Sequence, residues 1–460
     1  MRGLAGPKGG QMGITIIQKS DLNTRKKNPK VALVLAGGAV TGGAFKLGGL
    51  KALDDFLINR KTTDFDLYVG LSAGALLSAP LAAGVPPSET LRALDGSSSI
   101  VSQFLPRHFY NPNYEELLRK PAEFIADLAL FMPRTLSKMI SRSPHLLDRL
   151  RPAMRVFQRQ PSLSTLQDVA APIVREILAN RIPMPQDYVP SGLFDNSTIE
   201  HYLRDNFERN GIPNDFKSFY DRIGKELYIC AMNLDTAERV VFGHNTDASA
   251  SVSQAIQAST ALPGFYKPAR INGIDYVDGG VRHTANIDVA IEQGADLVIC
   301  YNPFRPFNNR VHRRFDMETG EWVTEGTPIA DSGMTGIINQ VFRTLLHTRL
   351  QYGIRQYQED PKFRGDIILI EPPETDVHMF SMNPLALWDG PRAGRYGYSS
   401  VTQTIDTHYD IVKQILGSYG ILMTRREVRA GLEKMNKGSF GETSVEVLLR
   451  DVPRRSLGVA

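Results

Sequence analysis

Short apolar runs recur along the chain, and most of the stretches between them have helical spacing. The first run is Val31–Leu35, whose unbroken apolar character is typical of a strand buried on both faces. Alternation of such strands with helices predicts an α/β fold with three layers, α/β/α, around a mainly parallel central sheet. The predicted strands are 31–35, 66–69, 226–233, 239–242, 274–277, 296–300 and 366–370. The predicted helices are 44–57, 74–83, 249–259, 285–293, 334–357 and 400–417.

A serine lies between two glycines directly after the second predicted strand. The segment is Gly70-Leu71-Ser72-Ala73-Gly74, and a helical pattern follows it. This spacing predicts a nucleophile elbow, a sharp strand-to-helix turn that exposes a strained serine while its glycines make room for the crossing backbone. A serine hydroxyl is a weak nucleophile until a neighbouring base takes its proton. The alternative is an ordinary turn in which the serine only caps the helix.

The first predicted strand leads into a glycine-rich segment, residues 36–43 (AGGAVTGG), and then into a helix. A strand, a glycine-rich loop and a helix in this order direct free backbone N–H groups at an anion. The anion could be a nucleotide phosphate or the oxyanion of an acyl intermediate. The loop lacks the Gly-Lys-Ser/Thr ending that a phosphate loop requires. A turn needed only for close packing is the remaining alternative.

A carboxylate follows the predicted strand 274–277, in the segment Asp278-Gly279-Gly280. In a parallel sheet, ligands bind beyond the carboxyl ends of the strands. Ser72 and Asp278 both follow the carboxyl end of a predicted strand. We therefore expect the hydroxyl and the carboxylate to face one crevice, although 206 residues separate them in the sequence.

Together, the glycine-rich loop, the serine turn and the aspartate segment resemble the patatin-like phospholipase family. Residues 258–265 (ASTALPGF) also resemble it, and the likeness extends from residue 31 to about 303. It implies a catalytic pair in which Ser72 attacks an ester and Asp278 is the general base. The oxyanion hole would be formed by main-chain N–H groups, and glycines would shape the motifs. The implied oxyanion residues are Gly37, Gly38 and Ala39, and the motif glycines are Gly42, Gly70, Gly74, Gly279 and Gly280.

The resemblance implies a lipid acyl hydrolase of the phospholipase A or lysophospholipase type. Its substrate would be a phospholipid or another acyl-ester lipid, met at a peripheral membrane surface, and it would need no metal or other cofactor. One position departs from the family, because Thr41 stands where an Arg or Lys is usual. Lys46 or Arg282 could supply that charge, but we interpret both as solvated surface residues.

Two other interpretations stay open. In the first, Ser72 belongs to a Ser-His-Asp hydrolase whose histidine is His283, His378 or His408. That order would leave the Asp278 segment unexplained, because the acid of such a triad precedes a histidine near the carboxyl end. In the second, the chain is a non-catalytic lipid-binding protein on a degenerate hydrolase fold, which the departure at Thr41 would favour.

Composition excludes several classes of protein. A net charge of +4 over 460 residues is too small to indicate nucleic-acid binding. The two cysteines, Cys230 and Cys300, lie in predicted strands and indicate buried thiols rather than a disulfide framework. No Cys/His cluster has the spacing of a zinc site. No signal peptide or membrane span is predicted, so we expect a cytoplasmic protein that can associate peripherally with membranes, with export by a dedicated secretion machine left open.

The domain organisation is predicted from where the alternation of strands and helices begins, stops and resumes along the sequence. Residues 1–30 form an N-terminal arm that is mobile apart from an edge strand near 14–17, residues 31–420 form the catalytic domain, and 421–460 form a charged extension. Within the catalytic domain, the strands disappear between about 86 and 224, which predicts a helical insertion. Residues 131–160 carry six arginines, one lysine and a single acid among apolar residues, a pattern that suits a lid or a surface on anionic lipid.

Overall fold

The structure is a computed structural model that describes residues 13–123, 125–127, 188–317 and 321–437, together with 152, 154–156, 159 and 449. Its strands are β1 (Ile14–Gln18), β2 (Val31–Leu35), β3 (Leu67–Leu71), β4 (Gly192–Phe194), β5 (Glu226–Asn233), β6 (Arg239–Phe242), β7 (Gly264–Tyr266), β8 (Ala269–Ile271), β9 (Ile274–Asp278), β10 (Leu297–Tyr301), β11 (His312–Asp316), β12 (Glu321–Glu325) and β13 (Asp366–Ile370). Its helices are α1 (Ala39–Phe56), α2 (Ala73–Ala82), α3 (Pro87–Asp95), α4 (Pro106–Phe109), α5 (Ser197–Arg209), α6 (Phe216–Ile223), α7 (Val252–Thr260), α8 (Ile287–Glu292), α9 (Gly333–Glu359), α10 (Val377–Ser381), α11 (Gly390–Thr407), α12 (Tyr409–Ser418) and α13 (Arg426–Lys437).

The main sheet has nine strands, eight of them in the order β1-β13-β10-β2-β3-β5-β9-β8, while β6 also pairs with β5. The five central strands, β13 to β5, run parallel. Antiparallel strands flank them, with β1 on β13 at one edge and β6, β9 and β8 at the other. The predicted mainly parallel α/β sheet is confirmed, and the predicted edge strand near residue 14 is β1.

The apolar runs form the central strands because helices cover both faces of the sheet. Every residue of β2, β3, β10 and β13 is buried. Ala32 and Val34 lie in a core cluster with Leu350 and Ile354 of α9. Leu35 faces the other side, level with Tyr301 of β10, and the Tyr301 ring lies 6.4 Å from the ring of Phe45 in α1. Cys230 and Cys300 are free, buried thiols in β5 and β10, as predicted.

The structure differs from the sequence predictions most clearly at three places. The helix expected from residue 44 begins at Ala39, because Gly42 and Gly43 are buried in its first turns instead of forming a loop. The stretch between the predicted strands 296–300 and 366–370, for which no strand is predicted, contains the hairpin β11–β12. The helix expected over 400–417 is two helices, since α11 ends at Thr407 and α12 begins at Tyr409.

The chain divides into two compact units. The larger comprises Met1–Asn111, Asn196–Pro263 and Pro268–Ala460, and contains the main sheet. The smaller comprises Pro112–Asp195 and Gly264–Lys267, and in it β4 pairs in parallel with β7. Most of the basic segment 131–160 lies outside the described residues, and the predicted domain boundaries stay predictions. Within the part of the chain described here, no helix has both the length and the apolar character needed to traverse a bilayer.

Candidate active site

Ser72 occupies the turn between β3 and α2, with φ 54° and ψ −128°. A positive φ is costly for a residue that carries a Cβ atom, so the surrounding packing must impose it. The flanking glycines allow strand β3 and helix α2 to approach the neighbouring backbone closely on either side of Ser72. A Cβ atom at Gly70 would lie 2.6 Å from Ala75 Cα, and one at Gly74 would lie 2.6 Å from the carbonyl carbon of Leu35. The structure therefore has the sharp turn that the glycine spacing predicts.

Ser259, near the end of α7, accepts a hydrogen bond from the backbone of this turn. The main-chain N–H of Ser72 donates to Ser259 Oγ at 2.8 Å, and that hydroxyl donates to the carbonyl of Cys230 in β5 at 2.6 Å. Ser259 is fully buried, so the strained serine has its backbone donor satisfied without water. Sequence reasoning missed this role, although Ser259 lies in the segment 258–265 that carries the family resemblance.

Asp278 is the last residue of β9 and is 4% exposed. The N–H of Gly280 donates to Asp278 Oδ1 at 2.8 Å. Burial raises the pKa of Asp278 to about 6, while the nearby Ser72 hydroxyl, the Gly280 N–H and the charge of Lys46 act in the opposite direction. A carboxyl with this pKa is a stronger base than an exposed aspartate yet is mostly ionised at neutral pH.

The strand register explains why serine and aspartate meet. Leu71 of β3 pairs with Cys230 of β5, so Ser72 lies level with Ala231. Ala231 in turn pairs with Asp278 of β9, which is antiparallel to β5. The expectation that both side chains lie at carboxyl ends of parallel strands is therefore wrong for Asp278. The aspartate reaches the same level because β9 runs in the opposite direction to β5 and its last residue, Asp278, pairs with Ala231.

The glycine-rich segment passes directly beside the serine. A Cβ atom at Gly37 would lie 3.4 Å from Ser72 Cβ and 3.9 Å from Ser72 Oγ. Gly38 precedes the first residue of α1, Ala39, which has φ 52°. The N–H groups of Gly37, Gly38 and Ala39 donate no hydrogen bond to any other described residue. Free N–H groups at the amino end of an 18-residue helix favour a negative charge beside the Ser72 hydroxyl.

The other motif residues lie in α1 and beside β5. Gly42 is buried inside α1, where a Cβ atom would make only an ordinary contact, 3.7 Å from Pro303 Cγ. Gly279 passes close to β5, since a Cβ atom there would lie 2.9 Å from the carbonyl oxygen of Cys230. Thr41 is also buried, and its hydroxyl donates to the carbonyls of Asn383 at 2.6 Å and Ala386 at 3.1 Å. It therefore anchors a neighbouring loop to α1.

Lys46 is not a surface residue. It is 0% exposed, which contradicts its interpretation as a solvated charge, whereas Arg282 is exposed as expected. The ammonium group donates to the carbonyl of Ala36 and, at 3.3 Å, to that of Gly37. Burial lowers the pKa of Lys46 to about 7, and the negative charge of Asp278 acts in the opposite direction.

The three histidines considered for a triad have other neighbours. The His378 ring stacks on Tyr396 with centroids 4.8 Å apart, and His408 Nδ1 lies 2.9 Å from the carbonyl oxygen of Thr404. His283 is half-buried, and its main-chain N–H donates to the carbonyl of Gly279. Among the hydrogen bonds of the described residues, none joins these imidazoles to Ser72 or Asp278. The described residues also contain no group of three or more His, Cys, Asp or Glu side chains that could hold a metal ion.

Comparison with known proteins gives one family. The family model of patatin-like phospholipases matches residues 33–291, more than half of the 460-residue chain. The probable lipid hydrolase 463L of Invertebrate iridescent virus 6 is 27% identical over 103 residues, 22% of this chain and 36% of the relative. The uncharacterized protein YjjU of Escherichia coli is 24% identical over 199 residues, 42% of this chain and 52% of the relative. The chain thus spans about a third to a half of these relatives' lengths.

Among solved structures, VipD from Legionella pneumophila is similar at 14% sequence identity and a TM-score of 0.33. The match covers 96% of this chain and 83% of VipD.

Proposed function

The chain belongs to the patatin-like phospholipase family, and from this membership we propose that it is a lipid acyl hydrolase that uses Ser72 and Asp278 as a catalytic pair. The observation that carries the proposal is the strand register, which brings Ser72 level with the buried Asp278 carboxylate, beside the free N–H groups of residues 37–39. A nucleophile, its base and an anion-stabilising backbone are the three parts that acyl transfer requires. The substrate class we propose is an acyl ester of a glycerophospholipid, as in phospholipase A or lysophospholipase chemistry.

The proposed reaction has two steps. Ser72 Oγ attacks the ester carbonyl while Asp278 takes the hydroxyl proton, and the N–H groups of Gly37, Gly38 and Ala39 stabilise the negative oxygen of the tetrahedral intermediate. Asp278 then returns the proton to the departing alcohol oxygen, which leaves an acyl group on Ser72. In the second step a water molecule attacks the acyl carbonyl while Asp278 takes its proton. The bond from the acyl carbon to Ser72 Oγ then breaks, Asp278 returns the proton to Oγ, and the fatty acid leaves.

We test this function by comparing single substitutions in ester hydrolysis and in labelling by a fluorophosphonate. Ser72→Ala and Asp278→Asn should each reduce turnover by at least about 10³-fold, since each removes one half of a coupled pair. Ser78→Ala is a matched control, because Ser78 is a buried serine in the same helix whose hydroxyl donates to the carbonyl of Ala75 at 3.2 Å. Turnover that survives in Asp278→Asn, or a loss of similar size in a variant of His283, would refute the proposed pair.

We also propose that α9 provides a surface for the bilayer that holds the substrate. Ile337, Ile338, Val341, Phe342 and Leu345 recur at helical spacing and are 42–59% exposed. Residues 333–358 contain no Asp or Glu, so the exposed arginines of this helix, Arg349 and Arg355, are not offset by acids in that stretch. An apolar face with a basic flank suits an anionic lipid surface.

The same helix is connected to the candidate site by a buried arginine. Arg343 is 3% exposed, and its guanidinium donates to the carbonyl of Pro303 at 3.2 Å and to that of Met379 at 3.3 Å. The guanidinium also lies 5.8 Å from the centre of the Phe304 ring. That ring reaches the glycine-rich segment, since a Cβ atom at Gly37 would lie 3.3 Å from it. The buried side of α9 thus contacts, through Arg343 and the Phe304 ring, the segment that carries the candidate oxyanion residues.

Sedimentation with vesicles tests the lipid surface. Phe342→Asp should weaken binding to vesicles containing phosphatidylserine by about tenfold or more, because it places a charge where an aromatic ring would be buried. Hydrolysis of a soluble short-chain ester should be unchanged. Ile58→Asp is the control, because Ile58 is 53% exposed but lies outside α9. Equal binding by both variants would refute the assignment of this face.

A further inference from the structure

Lys46 is a buried cation that the two-residue reaction does not use. Its side chain extends back along α1 toward the amino end, as side chains on a helix do, and places the ammonium group at the glycine-rich segment. There it donates to the carbonyls of Ala36 and Gly37. The side chain is 0% exposed, so no water compensates for its removal from solvent. A buried ammonium group is costly unless acceptors and an opposite charge surround it.

The planarity of the peptide bond gives these two contacts a directional consequence. In a trans peptide the carbonyl oxygen of one residue and the N–H of the next point in opposite directions. No peptide bond among the described residues is cis. Because Lys46 holds the carbonyls of Ala36 and Gly37, the N–H groups of Gly37 and Gly38 point away from the ammonium group. These are two of the N–H groups that donate to no other described residue.

The electrostatic surroundings of Lys46 join the two halves of the candidate site. The ionisable groups that face Lys46 are Asp278, the proposed base, and the Cys300 thiol, which burial keeps neutral by raising its pKa. In the other direction, Lys46 is the charged group that stabilises the ionised form of Asp278. The Lys46 ammonium group thus donates hydrogen bonds to the glycine-rich segment and interacts electrostatically with Asp278.

We propose that Lys46 is a positioning residue, which holds the peptides after Ala36 and Gly37 so that their N–H groups face the oxyanion beside Ser72. This inference rests on the proposed function, because it assigns Lys46 to the same acyl-transfer site. The role is electrostatic and directional, with no contact between Lys46 and the substrate. Removing the ammonium group should therefore impair the transition state much more than substrate binding.

The test is Lys46→Met, which keeps the length of the side chain but removes its charge and donors. We expect kcat for a soluble ester to fall by about 10²-fold with KM within about threefold, as when an oxyanion-hole donor is lost. Inhibition by an aryl boronic acid, which forms a tetrahedral anionic adduct with Ser72 Oγ, should weaken by a similar factor. The acid limb of kcat/KM should move to higher pH, because Asp278 loses the charge that favours its ionised form.

Two further variants separate positioning from packing. Lys46→Arg restores a cation with several donors and should recover most of kcat. Lys51→Met is the matched control, because Lys51 lies on the same helix, is 8% exposed and pairs with Asp55 at 2.6 Å. It should leave kcat and boronate affinity unchanged. If Lys46→Met is unfolded at the assay temperature, Lys46→Gln replaces it and is expected to show the same losses.

Distinct results overturn the two proposals. A folded Lys46→Met or Lys46→Gln variant with kcat and boronate affinity within about threefold of wild type would overturn the role of Lys46 alone. A loss of the same size in Lys51→Met would do so too, since it would show a general effect of altering α1. Wild-type protein without Ser72-dependent turnover would instead overturn the proposed function, and the role of Lys46 with it.

Discussion

The ionisation of Asp278 makes the pH profile of turnover a direct test of the proposed base. Burial raises the pKa of its carboxyl from 3.8 to about 6. A base must be deprotonated to act, so kcat/KM should fall on the acid side with a midpoint near pH 6. At about pH 5 only about 9% of such a carboxyl is ionised, compared with about 94% for one with an ordinary pKa. The two cases therefore differ about tenfold in expected activity.

The assay measures kcat/KM for a soluble short-chain ester between about pH 4.5 and pH 8, because this ratio reports the pKa of the free enzyme. We expect activity at about pH 5 to be about one tenth of the plateau at neutral pH. The rate of fluorophosphonate labelling at Ser72 should show the same midpoint. Activity above half of the plateau at pH 5 would refute the assignment of a buried base.

Protonation of Asp278 does not unfold the protein, so unfolding caused by this carboxyl cannot account for the expected loss of activity at acid pH. The folded-state pKa of Asp278 is raised above its unfolded value, so protonation of Asp278 favours the fold. Its contribution to stability is fully present below pH 3.8 and is lost as the pH rises through about 6. The activity contributed by the same carboxylate changes in the opposite direction. Circular dichroism at each pH provides the control, and a folded but inactive protein near pH 5 is the expected result.

Two further predictions concern the scaffold of the site. Gly74→Ala should destabilise the fold by at least about 1–3 kcal/mol, since its Cβ atom would overlap the Leu35 carbonyl, whereas Gly353→Ala in α9 meets nothing within 4 Å and should raise stability by up to about 1 kcal/mol. Thermal unfolding of the two variants measures the difference, and equal melting temperatures would contradict it. Ser259→Ala leaves the N–H of Ser72 without its acceptor, which should cost about 1–3 kcal/mol and lower kcat about tenfold at constant KM. Unchanged unfolding and kinetics would show that Ser259 does not hold the turn.

The strands of the sheet could be predicted from the sequence more completely than their arrangement. Strands buried on both faces leave an unmistakable pattern of continuous apolar residues, and β2, β5 and β13 have the predicted bounds. Their order depends on contacts between distant segments, which no local pattern records. The antiparallel direction of β9 and the hairpin β11–β12 were missed for this reason. Gly42 and Gly43 were assigned to a loop on composition, whereas both are buried inside α1.

The proposed reactive residues could be located from the sequence because their surroundings constrain the backbone. The turn at Ser72 and the approach of Gly279 to β5 both need glycine, and glycine at fixed spacing is visible in a sequence. Lys46 has no such mark. A lysine within a helix is usually solvated, and only the fold shows that its ammonium group lies at the amino end of α1 beside buried carbonyls. Ser259 is equally inconspicuous, since a serine near the end of a helix usually caps it or faces water.

The end of α7 holds both members of the candidate pair. Ser259 accepts the N–H of Ser72, and two residues later the carbonyl of Ala261 accepts the N–H of Asp278 at 2.9 Å. Residues 259–261 therefore contact the main-chain N–H groups of both Ser72 and Asp278, and a substitution that shifts this stretch would act on both members of the candidate pair.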